Sequence, residues 1–522
     1  MSEWNYIVVG AGSAGATFAA RRAAAGDRVL LLDAGFDFRS DELDEAWRSP
    51  NPMKALVNPD TWQKLMDFEL MATRTDAQQP ATYWRGRGMG GSSTINGQIA
   101  IRPPMLDFDE WAADGCVGWS GSEILPYFNK LENDGDFGDR DYHGSDGPIP
   151  IYRAPRDTWG PADRALAAGA QAVGIEWIDD INAPNAAGVS TYPINSRDQR
   201  RVTVGDAYIE PMRDNPNLTI RGESTVDTVI FDGNRAVGVR IVTPEGTVDE
   251  FADEIVLSAG SVHTPPILQR SGIGPAEALI KIGVEQRAEL PVGEGLQDHA
   301  MIIVDILLGK HVDKVTEDDR HTNIAARFDS GDPEGVPLDL MLVSLNQNVL
   351  SMENADTSHG AAGIGVWLNH SYSRGRIVLN SADPKEQPFV EERMLSDERD
   401  LRRMRGAAKL LARVCRTAPV TAISGMEVER TAEAFYTAID SDDDAKIDAL
   451  LLERVSDTQH GTSTCRMGAV DDPRSVVGPD CRVIGFDGLR VIDASVFPSV
   501  PRANTHLATV AIAEAMADRV AQ

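Results

Sequence analysis

The chain opens with Trp4-Asn-Tyr-Ile-Val-Val-Gly-Ala-Gly-Ser-Ala-Gly15, an apolar run that passes directly into glycines at 10, 12 and 15. No other stretch limits the possible folds as sharply. Tyr6–Val9 reads as an interior parallel strand, Ala14–Ala25 as the helix after it, and Val29–Leu32 as a second strand ending on Asp33. Strand, glycine turn, helix, strand and terminal carboxylate in this order make the βαβ unit that binds dinucleotides. Gly10 permits a tight turn, Gly12 lets the backbone approach a pyrophosphate, and Gly15 lets the helix pack close to its strand. The helix N-terminus offers free N–H groups to phosphate charge. Asp33, 23 residues beyond Gly10, offers a carboxylate to a ribose hydroxyl. The motif leaves NAD and FAD both open.

At 522 residues the chain has room for two to four domains. Its formal charge of −30 argues against nucleic acid or an anionic membrane as a partner and fits an acidic, soluble surface. Cys116, Cys415, Cys465 and Cys481 lie far apart without a C-x-x-C pair, which points to reduced thiols and to neither a disulfide framework nor a metal site. No apolar run is long enough to span a membrane. The first strand begins so near Met1 that no signal peptide fits, so the expected compartment is the cytoplasm.

Strand patterns recur at Val226–Phe231, Ala236–Val242, Glu254–Leu257, Leu338–Ser344, Ile364–Asn369 and Gly375–Leu379. Helical periodicity marks Ala162–Ala172, Asp397–Ala418 and Leu507–Val520. Polar, glycine-rich stretches at Asp134–Gly147, Asp329–Val336 and Asn354–Ala362 read as exposed loops, and charged Ala432–Glu453 as a solvated helical region.

Further glycine loops follow. Tyr83-Trp-Arg-Gly-Arg-Gly-Met-Gly-Gly-Ser-Ser-Thr-Ile-Asn96 gathers small residues with the hydroxyls of Ser92 and Ser93. Ser258-Ala-Gly-Ser-Val-His-Thr-Pro-Pro-Ile-Leu-Gln-Arg-Ser-Gly-Ile-Gly274 runs from a strand into a helix, and Val292-Gly-Glu-Gly-Leu-Gln-Asp-His299 is a third such loop. Near the end, Gly488-Leu-Arg-Val-Ile-Asp493 closes a strand on an aspartate.

In these segments, taken in order, the chain resembles the glucose–methanol–choline (GMC) family of flavoprotein oxidoreductases over nearly its whole length. The resemblance implies an α/β fold, with a doubly wound FAD-binding domain from residues 1–154, 200–308 and 456–522. A β-sheet substrate domain covered by helices would take 155–199 and 309–455. It implies FAD, with its ADP half on Gly10, Gly12, Ser13, Ala14, Gly15, Asp33 and Ala34 and its adenine end at the Val226 backbone. Arg85, Gly91, Ser92, Asn96 and Gly97 would line the flavin, with Asp493, Ala494 and Thr505 along the pyrophosphate and ribityl chain. Some members attach the flavin through a histidine just before the loop asparagine; here Ile95 stands there, which implies non-covalent FAD.

The family's catalytic histidine lies in a His-x-x-Gly-Thr-like segment. Gln459-His-Gly-Thr-Ser-Thr-Cys-Arg-Met-Gly468 picks out His460, with Ser463 where the family has glycine. The family's second His or Asn, 44 residues on, falls on Asn504. Imidazole can take the alcohol proton at neutral pH, and an amide can hold the substrate oxygen as charge develops. His506 is a second imidazole that competes for the base role. Cys465 reads as a small buried filler. Choline-oxidising members place a glutamate three residues after the Gln-Asp-His aspartate; this chain has Met301, which argues against choline. Gly365-Val-Trp-Leu-Asn369 is similar to the substrate-domain strand of bacterial hydroxymethylfurfural and aryl-alcohol oxidases, with Trp367 as a pocket wall. The expected reaction is oxidation of a ring-bearing primary alcohol to the aldehyde, with O2 or another acceptor such as a quinone reoxidising the flavin. A hydroxynitrile lyase-like reaction and a non-catalytic flavin sensor are the alternatives, and the oligomeric state stays open.

Overall fold

The computed structural model describes residues 3–521 except 50, 53, 55–63, 68, 317–318 and 348–359. The opening motif forms as the sequence leads one to expect. Strand Trp4–Val9 lies between Val29–Leu32 and the end of Gly246–Leu257, both parallel to it, with Ile7 opposite Leu30 on one side and Ile255 on the other. Leu218–Arg221 extends the parallel sheet beyond Val29–Leu32, and Leu489–Val491 extends it on the far side of Gly246–Leu257. Strands covered on both faces must be apolar throughout. Ile7, Val8 and Leu30 to Leu32 are accordingly fully buried.

Gly246–Leu257 is 12 residues long, although only Glu254–Leu257 carries a strand signal. Its first half pairs antiparallel with Arg235–Thr243, which pairs in turn with Thr225–Asp232. That half is exposed, so its polar residues satisfy a solvated sheet edge and leave no apolar alternation to read.

Helices Ser13–Ala24 and Thr505–Arg519 pack on each other beside this sheet. The second is buried from Leu507 to Ala517, and a helix apolar on all sides belongs inside a core. Its one buried charge, Glu514, is held by Arg21 Nε at 2.9 Å and the Tyr208 hydroxyl at 2.8 Å.

A separate five-stranded antiparallel sheet runs in the order Met301–Leu307, Ala361–Leu368, Leu340–Leu345, Ile324–Phe328, Gly188–Thr191. Sheet membership thus changes before Met301, ahead of the boundary expected at 308. Ile302, Val304, Ile364 and Val366 face helices Pro161–Ala172 and Glu398–Cys415. With the two-residue period of a strand, Met301 and Trp367 point to the other face. They sit directly opposite each other on neighbouring strands.

Two loop expectations need correction. Asp134–Gly147 is not simply exposed: His143 is buried between Glu132 (2.6 Å) and Asp180 (2.9 Å), and Asp134 is buried against Arg153. Ala432–Glu453 forms helices Glu433–Asp440 and Asp444–Arg454, whose Phe435, Tyr436, Ile447 and Leu451 are core residues. The charges of that region pair with Arg405 and Arg416 outside. Most of the Asn354–Ala362 loop lies outside the described residues, and Ala361 and Ala362 already belong to a strand. All four cysteines are free and buried. Among the described residues no helix is long and apolar enough to cross a membrane.

Candidate active site

A cavity of about 1140 Å³ is lined at one end by Gly10, Gly12, Asp33 and Val226, and at the other by His460, Asn504, Met301 and Trp367. Ser13, Ala14, Ala34, Arg85, Gly91, Ser92, Asn96, Gly97, Asp493, Ala494, Thr505 and His506 line it too. Gly15 does not. It packs beneath the turn, where a Cβ would sit 1.8 Å from the Gly10 carbonyl oxygen. The Gly91 loop comes so close that a Cβ on Gly91 would lie 2.8 Å from Gly12 Cα. Gly12 caps the Ser13–Ala24 helix without a side chain, so the first-turn N–H groups stay available to an anion.

Three of these residues also have hydrogen-bond partners within the protein. Asp33 accepts backbone N–H groups from Ala11 (2.8 Å), Gly35 (2.8 Å) and Gly88 (2.9 Å), tying two glycine loops together. Asp493 accepts from Gly260 N–H (2.9 Å), the Thr264 hydroxyl (2.6 Å) and Ser495 N–H (2.8 Å), so its carboxylate organises the turn around Ala494. His506 Nδ1 lies 2.9 Å from Ser13 Oγ at the dinucleotide loop, and burial lowers its pKa to about 4. This contact ties His506 to the Ser13 end of the cavity.

His460 has neighbours on both ring nitrogens. Nε2 is 3.1 Å from Asn504 Nδ2, and the Tyr192 hydroxyl donates to Asn504 Oδ1 at 3.1 Å. Nδ1 is 2.7 Å from Thr458 Oγ1 and 2.9 Å from His299 Nδ1. His299 is fully buried and stacks nearly parallel to Trp367, at 6.4 Å between centroids and 6° between planes. Burial lowers the pKa of His299 to about 4 and holds that of His460 well below the ordinary histidine value, with His299 and Arg85 adding to the second effect. Arg85 donates to the Gln459 carbonyl at 2.8 Å and to the Tyr83 hydroxyl at 2.6 Å, so it braces the His460 segment. Ser463 has φ of 73°, in the left-handed region that glycine adopts freely.

Residues 4–301 and 371–513 match two family models, both described as GMC oxidoreductase. The chain belongs to the GMC oxidoreductase family. It is 33% identical to the 5-(hydroxymethyl)furfural oxidase of Methylovorus sp. (strain MP688), covering 99% of this chain and 98% of the relative. It is 32% identical to an oxygen-dependent choline dehydrogenase of Ectopseudomonas mendocina (strain ymp), covering 99% and 94%. Among solved structures, pyridoxine 4-oxidase from Mesorbium loti superposes with a TM-score of 0.87 at 27% identity, covering 99% of each chain. This GMC oxidoreductase is thus an enzyme that oxidises alcohols, in a family whose members bind FAD. Its cavity fits such a group: an uncapped helix N-terminus and side-chain-free loops for a pyrophosphate, then length enough to reach His460.

Sequence reasoning misses Tyr192, His299 and Thr458. Asp298 and His299 stand in the Gln-Asp-His segment, which is the signal that could have found His299. Tyr192 lies on no motif and meets Asn504 only through the fold.

Proposed function

We propose that this GMC oxidoreductase converts a primary alcohol on a flat or apolar ring to the aldehyde, with non-covalent FAD and with O2 or another acceptor taking the electrons. The observation that carries the reading is the His460–Asn504 pair at 3.1 Å, set beside the Trp367 face in the cavity. FAD, when bound, supplies the hydride acceptor at flavin N5.

The protein's own part is positioning and proton transfer. His299 Nε2–H donates to the Pro501 carbonyl at 3.0 Å, which leaves His299 Nδ1 as an acceptor. His460 therefore carries its proton on Nδ1, and its Nε2 lone pair faces Asn504. An alcohol hydroxyl arriving there meets a proton acceptor at Nε2 and an N–H donor at Asn504. Tyr192 holds the amide so that nitrogen, and not oxygen, points inward. The low proton affinity of buried His460 keeps Nε2 unprotonated and ready at neutral pH.

Met301 and Trp367 favour a ring over a quaternary ammonium. Met301 offers no counter-charge, and the relatives named for hydroxymethylfurfural and pyridoxine bear the names of flat-ring alcohols. Mixed anaerobically with purified enzyme, hydroxymethylfurfural or benzyl alcohol bleaches the flavin and choline does not. Reduction by choline alone would sink the substrate assignment. Air then restores the colour of an oxidase, while a dehydrogenase stays bleached, and a lyase never bleaches. Ile95, where some members carry the attaching histidine, leads us to expect that acid precipitation releases all FAD to the supernatant. Flavin left in the pellet would contradict this.

A further inference from the structure

The wall behind His460 holds three carboxyls, Asp298, Glu392 and Asp457. All three are buried, and an oxygen from each lies within 4.8 Å of the others. Two are well supplied with donors. Asp298 accepts from the Tyr83 hydroxyl (2.8 Å), the Thr458 hydroxyl (3.1 Å) and its neighbour His299 N–H (2.7 Å). Asp457 accepts from Arg74 Nε (2.6 Å) and Gln459 N–H (3.2 Å). Glu392 differs: among the described residues neither of its carboxyl oxygens has a hydrogen-bond partner.

A bare carboxylate beside two others, away from water, is the least tolerable form Glu392 can take. Two cations, Arg74 and Arg85, act on it. Three ionised carboxyls against two guanidinium groups leave one negative charge, and one proton cancels it. Glu392 is the group that takes this proton: burial and the charges of Asp457 and Asp298 push its carboxyl well above the usual range. Asp298 is pushed up to about 6 by burial and by Asp457. With Glu392 filled, Asp298 is the next carboxyl to accept a proton. Thr458 Oγ1 joins it to the base, 2.7 Å from His460 Nδ1 and 3.1 Å from Asp298 Oδ1.

We propose that the Asp298–Glu392–Asp457 cluster is a proton store for His460, reached through the Thr458 hydroxyl, with Glu392 already protonated and Asp298 open to one further proton. The inference rests on His460 being the base. In the step it describes, the alcohol O–H bond breaks as Nε2–H forms on His460. Nδ1 passes its proton to Thr458 Oγ1, whose own proton goes to Asp298 Oδ1. The imidazole returns neutral, and no electrons travel this path. Among the described residues the charged and titratable groups facing the cluster are Arg74, Arg85, Tyr83, His299 and His460, and of these His460 is the one that exchanges a proton with it. Thr458, Asp298 and Glu392 act through the histidine and are positioning residues.

The test uses FAD-loaded enzyme and the pH dependence of anaerobic flavin reduction. Wild type loses rate on acidification near pH 6, where Asp298 fills. Thr458→Val reduces the neutral-pH rate about tenfold and loses that limb, and Thr458→Ser restores both. A Thr458→Val enzyme with wild-type rate and limb overturns the proposal. Independently of turnover, the infrared difference between wild type and Glu392→Gln at neutral pH contains the C=O stretch of a protonated carboxyl. No such band, together with a rate that depends on added Mg2+ or Ca2+, overturns the store in favour of a cation site. A His460→Ala enzyme that keeps its rate would remove the base yet leave the infrared band in place, so the two failures are separable.

Discussion

Replacing His460 by alanine lowers the rate constant of anaerobic flavin reduction by roughly 10²- to 10⁴-fold, the range set by a well-placed general base. The protein still purifies yellow. Among the described residues His460 makes its hydrogen bonds to Thr458, His299 and Asn504, and none of these is in the dinucleotide loop at Gly10–Gly15. Three neighbours lose a partner at once, because Thr458, His299 and Asn504 all meet this imidazole. A parallel His506→Ala enzyme separates chemistry from cofactor contact. His506 bonds to Ser13, so its loss weakens FAD retention while flavin that stays bound is still reduced. Stopped-flow reduction with the ring alcohol found in the screen measures both. A His460→Ala rate within a few-fold of wild type would dismiss this residue as the base.

Gly15→Ala gives protein without bound FAD. The added methyl would stand 1.8 Å from the Gly10 carbonyl oxygen and 3.0 Å from Ser258 Cβ, inside the turn that carries the first-turn N–H groups. The helix must then move off its strand, at a cost of about 1–3 kcal/mol for overpacking, and the anion site at its N-terminus moves with it. Gly26→Ala is the control. Gly26 has φ of 102°, but nothing lies within 4 Å of a Cβ there, so the change costs about 1–2 kcal/mol of local strain. Flavin per mole of purified protein should fall close to zero in the first and stay at the wild-type level in the second. Normal loading of Gly15→Ala would show that the turn tolerates displacement.

What the amino-acid order alone makes legible depends on where each signal resides. The opening βαβ unit is local: its strands are buried on both faces and its turn needs glycine, so Val29–Leu32 reads from the sequence with the bounds the structure has. His460 and Asn504 are 44 residues apart, and only the family pattern joins them until the fold brings them to 3.1 Å. Glu392 carries no signal at all. In a charged stretch, Glu391-Glu-Arg393, one more glutamate looks solvated, and only the fold, which brings it within 4.8 Å of Asp298 and Asp457, shows that it is buried. Asp33 illustrates a different gap. Its residue type and position suggest a ribose contact, and the fold adds three backbone N–H groups converging on the same carboxylate. Sequence identifies the carboxylate, and only the folded loops reveal what it holds.

The packing of Thr505–Arg519 on Ser13–Ala24, and of Leu489–Val491 beside Gly246–Leu257, sets the order in which a newly made chain can mature. Strand Trp4–Val9 waits for Leu489–Val491 and Thr505–Arg519 before its sheet and neighbouring helix are complete. Contacts of such long sequence separation form slowly and leave early segments uncovered meanwhile. A chain truncated before Leu489 therefore leaves its dinucleotide loop unsupported and open to proteolysis.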